Sequence, residues 1–354
     1  MIRLPESVLL SCAALAFAMP AAAAAPPVAD WCPATAAAAA TARNTVLREA
    51  DKRLGDDPRP MPVVHTEGTL PGQGIREQSL IARRDLPQMR AFALAWKLSG
   101  DQRYAQALSR YLDAWTKVYR PSFSPIDETH FEAVADAYAL AGEALPAPTR
   151  QAAEDFLRAM ASGYVERMDR GRGERRSTWT NNWQSHRVKI VTLAAVALND
   201  ESLFVHARRL YLAQLADNIR VDGSVEDFHQ RDALHYVTYD LEPLARAALA
   251  ARLRGQDWLD LQSRSGSSLA RALDWLLPYA RGEKQHQEFQ RSTVRFDTER
   301  RAAGVKGFAG TWERRSAAEL FWTAAFLDQR YAETAKSLSV TPPDWMAACW
   351  LKSS

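Results

Sequence analysis

From residue 85 onward, apolar residues recur every three or four positions, and short polar or glycine-containing turns interrupt them. This period is that of the α-helix, and helices joined by such short turns pack as antiparallel hairpins. Strand-like alternation of apolar and polar residues is unconvincing except around residues 292–296. The sequence therefore predicts an all-α chain of helical hairpins, arranged as a bundle, a solenoid or a closed toroid.

The predicted helices share this spacing and cover residues 31–54, 86–98, 104–119, 131–145, 149–165, 183–198, 201–219, 228–253, 258–279 and 317–327. Residues 55–82 are rich in proline and glycine, which predicts a long loop that serves either as a lid or binding element or as an inert surface segment. The helix at 183–198 is apolar around its whole circumference, as expected of a buried inner helix of a toroid. No repeat of fixed length is visible in the sequence, which disfavours a tetratricopeptide array.

Composition limits the class of protein. The chain has 354 residues, of which 47% are hydrophobic and 25% charged, so it can bury a large core. We expect one domain over residues 26–354. A net charge of +3 without a long Lys/Arg run argues against a nucleic-acid-binding protein and is compatible with an anionic substrate. The eleven Trp residues are typical of carbohydrate clefts as well as of cores.

The N-terminus carries a predicted export signal over residues 1–25. An apolar run at residues 8–19 precedes five alanines, a composition typical of a cleavage region. The run is too short to span a membrane, and no later segment is a convincing transmembrane helix. Leu10-Ser11-Cys12 offers a weaker alternative as a lipoprotein site. We therefore expect a periplasmic or secreted protein with no membrane span.

Two cysteines remain after signal cleavage, Cys32 and Cys349, near opposite ends of the mature chain. In an oxidising compartment they could form one disulfide that joins the two ends, although spacing and compartment alone leave the pairing open. Two distant cysteines without a supporting histidine pattern make a poor zinc site. We expect neither a metal nor another cofactor.

Two short segments, residues 179–187 and 227–239, concentrate amides, imidazoles, guanidiniums and phenols within an Ala-rich chain. In the first segment, Asn182 and His186 are four residues apart and therefore share one face of a helix. Such groups can bind a carboxylate, remove a carbon-bound proton and protonate a leaving oxygen.

In the second segment, Arg231, His235 and Tyr239 also recur every four residues. On one continuous helix they would share a face opposite the apolar positions. A solvated face is usually rich in Lys and Glu, so a face of Arg, His and aromatic residues favours a cleft wall.

Together these segments resemble the alginate lyase superfamily of polysaccharide lyases, in the branch with an Asn-Asn-Trp-x-Ser-His-Arg motif, here residues 181–187. Further matches lie at residues 66–72, 125–132 and 239–244. The resemblance implies an (α/α) toroid, or incomplete barrel, of antiparallel helical hairpins around a central cleft. It also implies metal-independent β-elimination of a β-linked uronate polymer. Alginate (poly-mannuronate) is the first substrate, and glucuronan or another glucuronate polymer is the alternative.

The resemblance assigns catalytic roles by matched position. Asn182 and Arg231 would neutralise the C5 carboxylate of the bound sugar and stabilise the enolate-like charge that follows loss of the C5 proton. Tyr239 would protonate the departing O4, with Tyr236 as the alternative phenol. Arg231 stands one position away from the spacing to Tyr239 that the best-known members have.

The proton acceptor is the open point of this assignment. Trp183 stands where the best-known members have their catalytic histidine, and His186 lies one helical turn further on. Either His186 removes the C5 proton from this shifted position, or Tyr239 performs both proton transfers with His186 as a base or carboxylate partner. We favour Tyr239 in both roles.

Six further side chains near these motifs are candidate substrate-binding residues: Asn181, Trp183, His235, Tyr236, Trp179 and His130. Each also has a structural interpretation. Asn181 is a favoured residue for capping the helix that follows it, the two tryptophans could belong to the core, and the histidines could be satisfied core residues. The arginines at 170–176 form either a solvated loop or a surface that steers a polyanion.

Other classes of function remain as alternatives. The same toroid could be a non-catalytic, exopolysaccharide-binding protein of the periplasm. A glycoside hydrolase would need two carboxylates across the cleft, for which Asp127/Glu128 and Glu226/Asp227 are the suggestive pairs. In each case we expect a monomer whose partner is an anionic polysaccharide and not nucleic acid.

Overall fold

The computed structural model describes residues 30–33, 40–171, 173–174 and 176–351. The predicted signal at residues 1–25 lies outside this range. Within it, no helix combines the length and the apolar character needed to cross a membrane.

The described residues form fifteen α-helices linked by turns and short 3-10 segments, and their only β-pairings are two isolated bridges. The helices are α1 (Ala40–Asp51), α2 (Ile75–Ala82), α3 (Asp85–Ser99), α4 (Gln102–Val118), α5 (Glu132–Ala141), α6 (Ala147–Arg170), α7 (Asn182–Ala197), α8 (Glu201–Asn218), α9 (Glu226–Arg231), α10 (Leu234–Arg252), α11 (Leu269–Ala280), α12 (Arg295–Ala302), α13 (Ala318–Leu327), α14 (Ala332–Leu338) and α15 (Asp344–Trp350).

Five helices form an inner layer in which α3, α5, α7, α10 and α13 pack side by side in that order. Each is followed along the chain by an outer helix that packs against it, namely α4, α6, α8, α11 and α14. α1 and α15 pack against each other, and α1 also packs on α3. The predicted all-α toroid of helical hairpins is confirmed.

Helix α7 is the most enclosed inner helix. Its residues 184–196 are all buried, because α5, α6, α8 and α10 surround it. Its closest neighbour is α10, in which five alanines among residues 245–251 allow the two backbones to approach. The prediction of a buried inner helix here is confirmed, and this burial is what fixes the polar side chains near its N-terminus.

The predicted helix over residues 228–253 is wrong as one element. α9 ends at Arg231, Asp232 adopts a left-handed conformation with φ 50°, and α10 begins at Leu234. Asp tolerates this conformation better than most residues, and the backbone N–H and guanidinium of Arg291 hold its carboxylate. Arg231 therefore does not share a helical face with His235 and Tyr239.

Other predicted boundaries also need correction. Residues 258–268 are irregular and α11 begins only at Leu269, because a serine-rich turn bonds to itself there and Ser268 caps the helix. The predicted loop at residues 55–82 contains α2, the first described helix is shorter than residues 31–54, and residues 292–296 form no strand.

A disulfide joins Cys32 to Cys349, which settles the pairing that the sequence left open. Both cysteines are buried, and Cys349 lies on α15. Next to Cys32, the Trp31 Nε1–H donates to Asp136 Oδ1 of α5 at 3.0 Å. The disulfide thus anchors the first described residues to the end of the toroid.

Candidate active site

A cavity of about 360 Å³ lies at the centre of the toroid, lined by the N-terminal halves of all five inner helices. Its lining residues are mainly charged or polar: Pro87, Arg90, Thr129, His130, Glu132, His186, Lys189, Tyr239, Glu242, Pro243, Arg246, Glu319 and Thr323. The first turns of α3, α5 and α13 reach the cavity with Pro87, Glu132 and Glu319, and the partial positive charge of a helix N-terminus favours an anion.

His186 and Tyr239 face each other in this cavity, with ring centroids 4.4 Å apart. His186 is supplied by α7 and Tyr239 by α10, the two most closely packed inner helices. The sequence predicted both residues as catalytic candidates, and the structure brings them together. His130, a candidate for substrate binding, lines the same cavity with a solvent-accessible side chain.

The proton positions on His186 follow from its hydrogen bonds. Lys189 Nζ donates to Thr129 Oγ1 at 2.9 Å and to the Thr129 carbonyl at 3.0 Å, and it forms an ion pair with Glu132 at 2.8 Å. Thr129 Oγ1 lies 2.7 Å from His186 Nδ1. Thr129 Oγ1 accepts from the Lys189 ammonium, and its own hydrogen is available to donate to His186 Nδ1. When that bond is made, neutral His186 carries its proton on Nε2.

His186 Nε2 is buried and makes no hydrogen bond within the described part of the chain. The Tyr239 backbone interacts with the His186 ring and acts to raise its pKa. The Tyr239 carbonyl lacks its helical donor, because the residue four positions on is Pro243. The pKa of His186 lies well below its ordinary value, first because of burial and then because of the Lys189 charge. A neutral His186 with Nδ1 engaged has no free lone pair with which to take a proton.

The pKa of the Tyr239 phenol depends on its burial and on the charged groups around it. Burial, Tyr236 and Glu242 raise the pKa of its phenol above the ordinary value, and Arg83 and Arg300 act in the opposite direction without offsetting them. Arg83 follows the end of α2 and Arg300 belongs to α12, so two distant parts of the chain supply these cations. Neither arginine was predicted, since no motif surrounds them.

Asn182 and Arg231 are linked by one carboxylate. The backbone N–H and the Nδ2 of Asn182 each donate to Asp227 at 2.7 Å, and Arg231 Nε lies 3.5 Å from the same carboxylate. Burial raises the pKa of Asp227 to about 6. Arg231 is also paired with Asp297. One hydrogen of the Asn182 amide remains unused by Asp227, whereas the charge of Arg231 already faces two acids.

Tyr236 and His235 belong to a neighbouring cluster. Arg300 donates to the Tyr236 hydroxyl at 2.6 Å, and the Arg231 guanidinium lies 3.9 Å from the Tyr236 ring centroid. The His235 ring packs beside Phe308, and burial lowers its pKa to about 4. His235 is therefore a half-buried neutral residue outside the central cavity.

The remaining predicted residues lie beside α7. Asn181 caps this helix, since its side chain accepts from the Trp183 backbone N–H at 3.1 Å. Trp179 and Trp183 are half-buried and line a second, more open groove rather than the central cavity.

The carboxylate pairs considered for a hydrolase are engaged elsewhere. Asp127 accepts from Thr66 and from the Glu67 backbone, and Glu128 accepts from two tyrosine hydroxyls. In the other pair, Asp227 binds Asn182 and Glu226 forms an ion pair with Arg220. None of the four lines the central cavity.

The sequence analysis did not predict a role for Thr129 and Lys189, which act on the hydrogen bonding and the pKa of His186. A signal was present for both. Lys189 is a charged residue in the middle of an otherwise apolar predicted helix, and Thr129 lies within the matched stretch 125–132. Among the described residues, no group of three or more His, Cys, Asp or Glu side chains is arranged to hold a metal ion.

Solved structures similar to this chain include alginate lyases. An alginate lyase from Bacteroides ovatus has a TM-score of 0.61 and 19% identity, over 88% of this chain and 93% of that chain. Alginate lyase A1-III from Sphingomonas species A1 has a TM-score of 0.52 and 20% identity, over 72% and 80%. A histidine-to-alanine variant of A1-III, complexed with a tetrasaccharide, has a TM-score of 0.60 and 18% identity, over 91% and 97%.

Because the sequence identities are this low, the solved structures show only that the fold is shared. The family assignment rests on the sequence comparison. No curated protein matches the chain closely enough to count as a relative. The sequence pattern of the family described as alginate lyase matches residues 31–286, which is most of the chain. The chain therefore belongs to the alginate lyase family and is a polysaccharide lyase.

Proposed function

We propose that this lyase cleaves alginate, preferentially in mannuronate-rich stretches, by β-elimination with Tyr239 as both base and acid. The observation that carries the proposal is the pair of His186 and Tyr239 in the central cavity. With Nδ1 accepting from Thr129, His186 has no free lone pair, and Tyr239 is then the group beside it that can take a proton. The tetrasaccharide bound by the A1-III variant supports a saccharide ligand for this fold.

In the first step the Tyr239 phenolate removes the C5 proton of the bound uronate. Arg83 and Arg300 favour the phenolate, and the sugar carboxylate takes up the electron pair of the broken C5–H bond as an enolate. The free amide hydrogen of Asn182 and the guanidiniums of Arg83 and Arg300 stabilise that charge. We assign Arg231 a positioning role, because two carboxylates already neutralise it.

In the second step the enolate collapses to a C4=C5 double bond, and the C4–O4 bond breaks. Tyr239 returns its proton to the departing O4 and is again a phenolate. His186 acts as a positioning residue, with its neutral ring against Tyr239.

One phenol in both roles restricts the substrate. In mannuronate and glucuronate the C5 hydrogen and O4 lie on the same face of the sugar ring, whereas in guluronate they lie on opposite faces. A single side chain reaches both atoms only when they share a face. The mechanism therefore favours poly-mannuronate and retains glucuronan as the alternative substrate.

We also propose that residues 1–25 direct the chain to the periplasm, where residues 26–354 act as a monomeric domain. The Cys32–Cys349 disulfide supports an oxidising compartment. The non-catalytic binding protein is the second candidate from another class. This alternative is favoured because Asp227 already binds both Asn182 and Arg231, the two residues that were expected to neutralise the sugar carboxylate.

Ultraviolet absorbance of unsaturated uronate ends tests the proposal. Purified protein is incubated with mannuronan, glucuronan and guluronan in the presence of a chelator. We expect the fastest increase on mannuronan and none on guluronan. Binding of mannuronan without an increase on any of the three would favour the non-catalytic protein, and fastest cleavage of guluronan would contradict the single-tyrosine mechanism.

A further inference from the structure

A second groove of about 650 Å³ opens beside α7, outside the central cavity. We call it the arginine groove and define it by Phe123, Arg167, Trp179, Trp183 and Arg187, all of which line it. Three aromatic rings and two guanidiniums are the types of side chain that bind an acidic sugar, since rings stack on the pyranose and guanidiniums bind its carboxylate.

The two guanidiniums of the groove have no acidic partner. Neither Arg167 nor Arg187 forms an ion pair with a carboxylate in the described part of the chain, whereas Arg170 and Arg176 in the same groove are paired with Glu166 and Glu174. Arg187 is 6% exposed, and burial lowers its pKa to about 10, with the Arg167 charge acting in the same direction. Two like charges lie close together here without compensation, and this favours binding of an anion.

Aromatic faces hold both guanidiniums in place. Arg167 lies 4.6 Å from the Phe123 ring centroid, and Arg187 lies 4.1 Å from that of Trp179. Arg187 also donates to the Thr178 carbonyl at 2.6 Å and to Gln184. The positively charged groups are thus fixed before any ligand arrives, which lowers the entropy lost on binding.

Two glycines leave room for the rings of Phe123 and Trp179. A Cβ atom on Gly163 would lie 2.2 Å from the Phe123 ring, and one on Gly171 would lie 2.4 Å from the Trp179 ring, so both rings are seated where only glycine fits. Phe123 also has φ 60°, a left-handed conformation that costs free energy in a bulky residue. Strain of this kind persists where the surroundings enforce a particular side-chain position.

The groove and the central cavity are lined by the same elements. α7 supplies Trp183 and Arg187 to the groove and His186 to the cavity, and Asp127 of the groove is two residues from Thr129 of the cavity. The Asp127 carboxylate accepts from Thr66 and Glu67, and Glu174 pairs with Arg176. A polymer with one sugar at Tyr239 can therefore continue into the groove.

We propose that the arginine groove is a distal subsite for the same polyanionic chain. In it, Arg167 and Arg187 bind the carboxylate of a uronate that lies beyond the sugar at Tyr239, and Trp179 and Trp183 stack on its ring. This inference rests on the proposed uronate-polymer function. It predicts that the enzyme distinguishes long chains from short ones.

The test compares Arg167→Gln and Trp179→Ala with Arg208→Gln, which removes an exposed arginine of α8 outside the groove. Mannuronan binding is measured by calorimetry in a Tyr239→Phe background, so that the chain stays intact. We expect Arg167→Gln and Trp179→Ala each to weaken binding of long mannuronan about tenfold, the loss of one charge-assisted contact or one stacking contact. Arg208→Gln should bind as the background does. In the otherwise wild-type enzyme, the two groove variants should lower kcat/KM for long mannuronan more than kcat/KM for a trisaccharide, and Arg208→Gln should leave both unchanged.

Unchanged binding of long mannuronan by both groove variants would overturn the subsite, as would a protein that binds no mannuronan. An equal loss in Arg208→Gln would overturn it too, because general surface charge would then explain the effect. If the wild-type chain binds mannuronan without producing unsaturated ends, the lyase mechanism fails, while the binding comparison still decides the role of the groove.

Discussion

The charged side chains on the two sides of α7 differ in their binding partners. Towards the central cavity, Lys189 is bonded to Thr129 and Glu132, and His186 is held by Thr129. Towards the arginine groove, the Arg187 guanidinium is fixed by an aromatic face and neutral acceptors but has no carboxylate partner. On the cavity side the charged group is paired within the protein, and on the groove side the charge is left for a ligand to pair.

This difference matches the two tasks of a polymer-cleaving enzyme. Chemistry needs groups whose protonation and position are set before the substrate binds, because reorganisation during the reaction is costly. Binding a polyanion needs charges that have not already been neutralised within the protein. A helix buried on all sides can serve both tasks, since each face meets a different neighbour.

The largest effect is expected at the cavity side, from Tyr239→Phe. Loss of the one group that takes and returns the proton should lower kcat about 10⁴-fold, the upper range for general acid–base catalysis. Binding of mannuronan, measured by calorimetry, should stay within a few-fold of wild type. Activity within tenfold of wild type would move both proton transfers to another group, and Tyr236→Phe would then be the next variant.

Lys189→Met tests whether the cavity network holds His186 neutral. The variant leaves the Glu132 carboxylate without its partner and should destabilise the fold by about 3 kcal/mol, measured by denaturant unfolding. It should also raise the pKa of His186, since the Lys189 charge disfavours the imidazolium.

The sign of the pH dependence follows from the depressed pKa of His186. Below about pH 6.5 the unfolded chain binds a proton that the native His186 does not, so wild-type stability falls as the pH is lowered from about 7 to 5. The Lys189→Met variant should lose less stability over this interval. An equal or steeper loss in the variant would contradict a network that keeps His186 neutral.

A smaller effect is expected from His186→Gln. Glutamine keeps a polar N–H near the position of Nε2 but cannot act as a base, so a positioning role predicts a loss of kcat of about tenfold. The kcat of the wild type and that of His186→Gln should both rise with pH through the neutral range. The reason is that the base is a phenol whose pKa is raised by burial. A loss as large as that of Tyr239→Phe would identify His186 as the base.

The smallest effect is expected at the groove side, from Gly171→Ala. The added Cβ would meet the Trp179 ring at 2.4 Å and displace it, which should raise KM for long mannuronan a few-fold and leave kcat unchanged. Gly55→Ala is the matched control, since its Cβ would meet nothing within 4 Å. An unchanged KM in Gly171→Ala would remove Trp179 from the subsite.

The sequence was sufficient to predict the elements that depend on local pattern. Apolar periodicity predicted the helical hairpins, and the apolar circumference of residues 183–198 predicted that α7 is buried. Helical spacing predicted one shared site for Asn182 and His186, but only His186 lines the central cavity, whereas Asn182 binds Asp227. These properties follow from residues a few positions apart in the chain.

What could not be predicted depends on residues far apart in sequence. The break between α9 and α10 is held by Arg291, which contacts Asp232 from 59 positions away. Arg83 lies far before Tyr239 in the sequence and Arg300 far after it, yet both act on the pKa of its phenol. The state of His186 is set by Thr129, 57 positions earlier. Pairings of this kind have no local signature.

The tautomer of His186 is the most direct test of the mechanism. The seven histidines of the chain can be labelled with nitrogen-15, and the His186 signals assigned by their loss in His186→Gln. We expect an unprotonated Nδ1 and a protonated Nε2 from about pH 5 to pH 9, because the Thr129 hydroxyl occupies Nδ1 and burial with the Lys189 charge keeps the ring neutral. A protonated Nδ1 with a free Nε2 lone pair, or a ring that titrates near neutral pH, would make His186 a competent base and contradict Tyr239 as the only one.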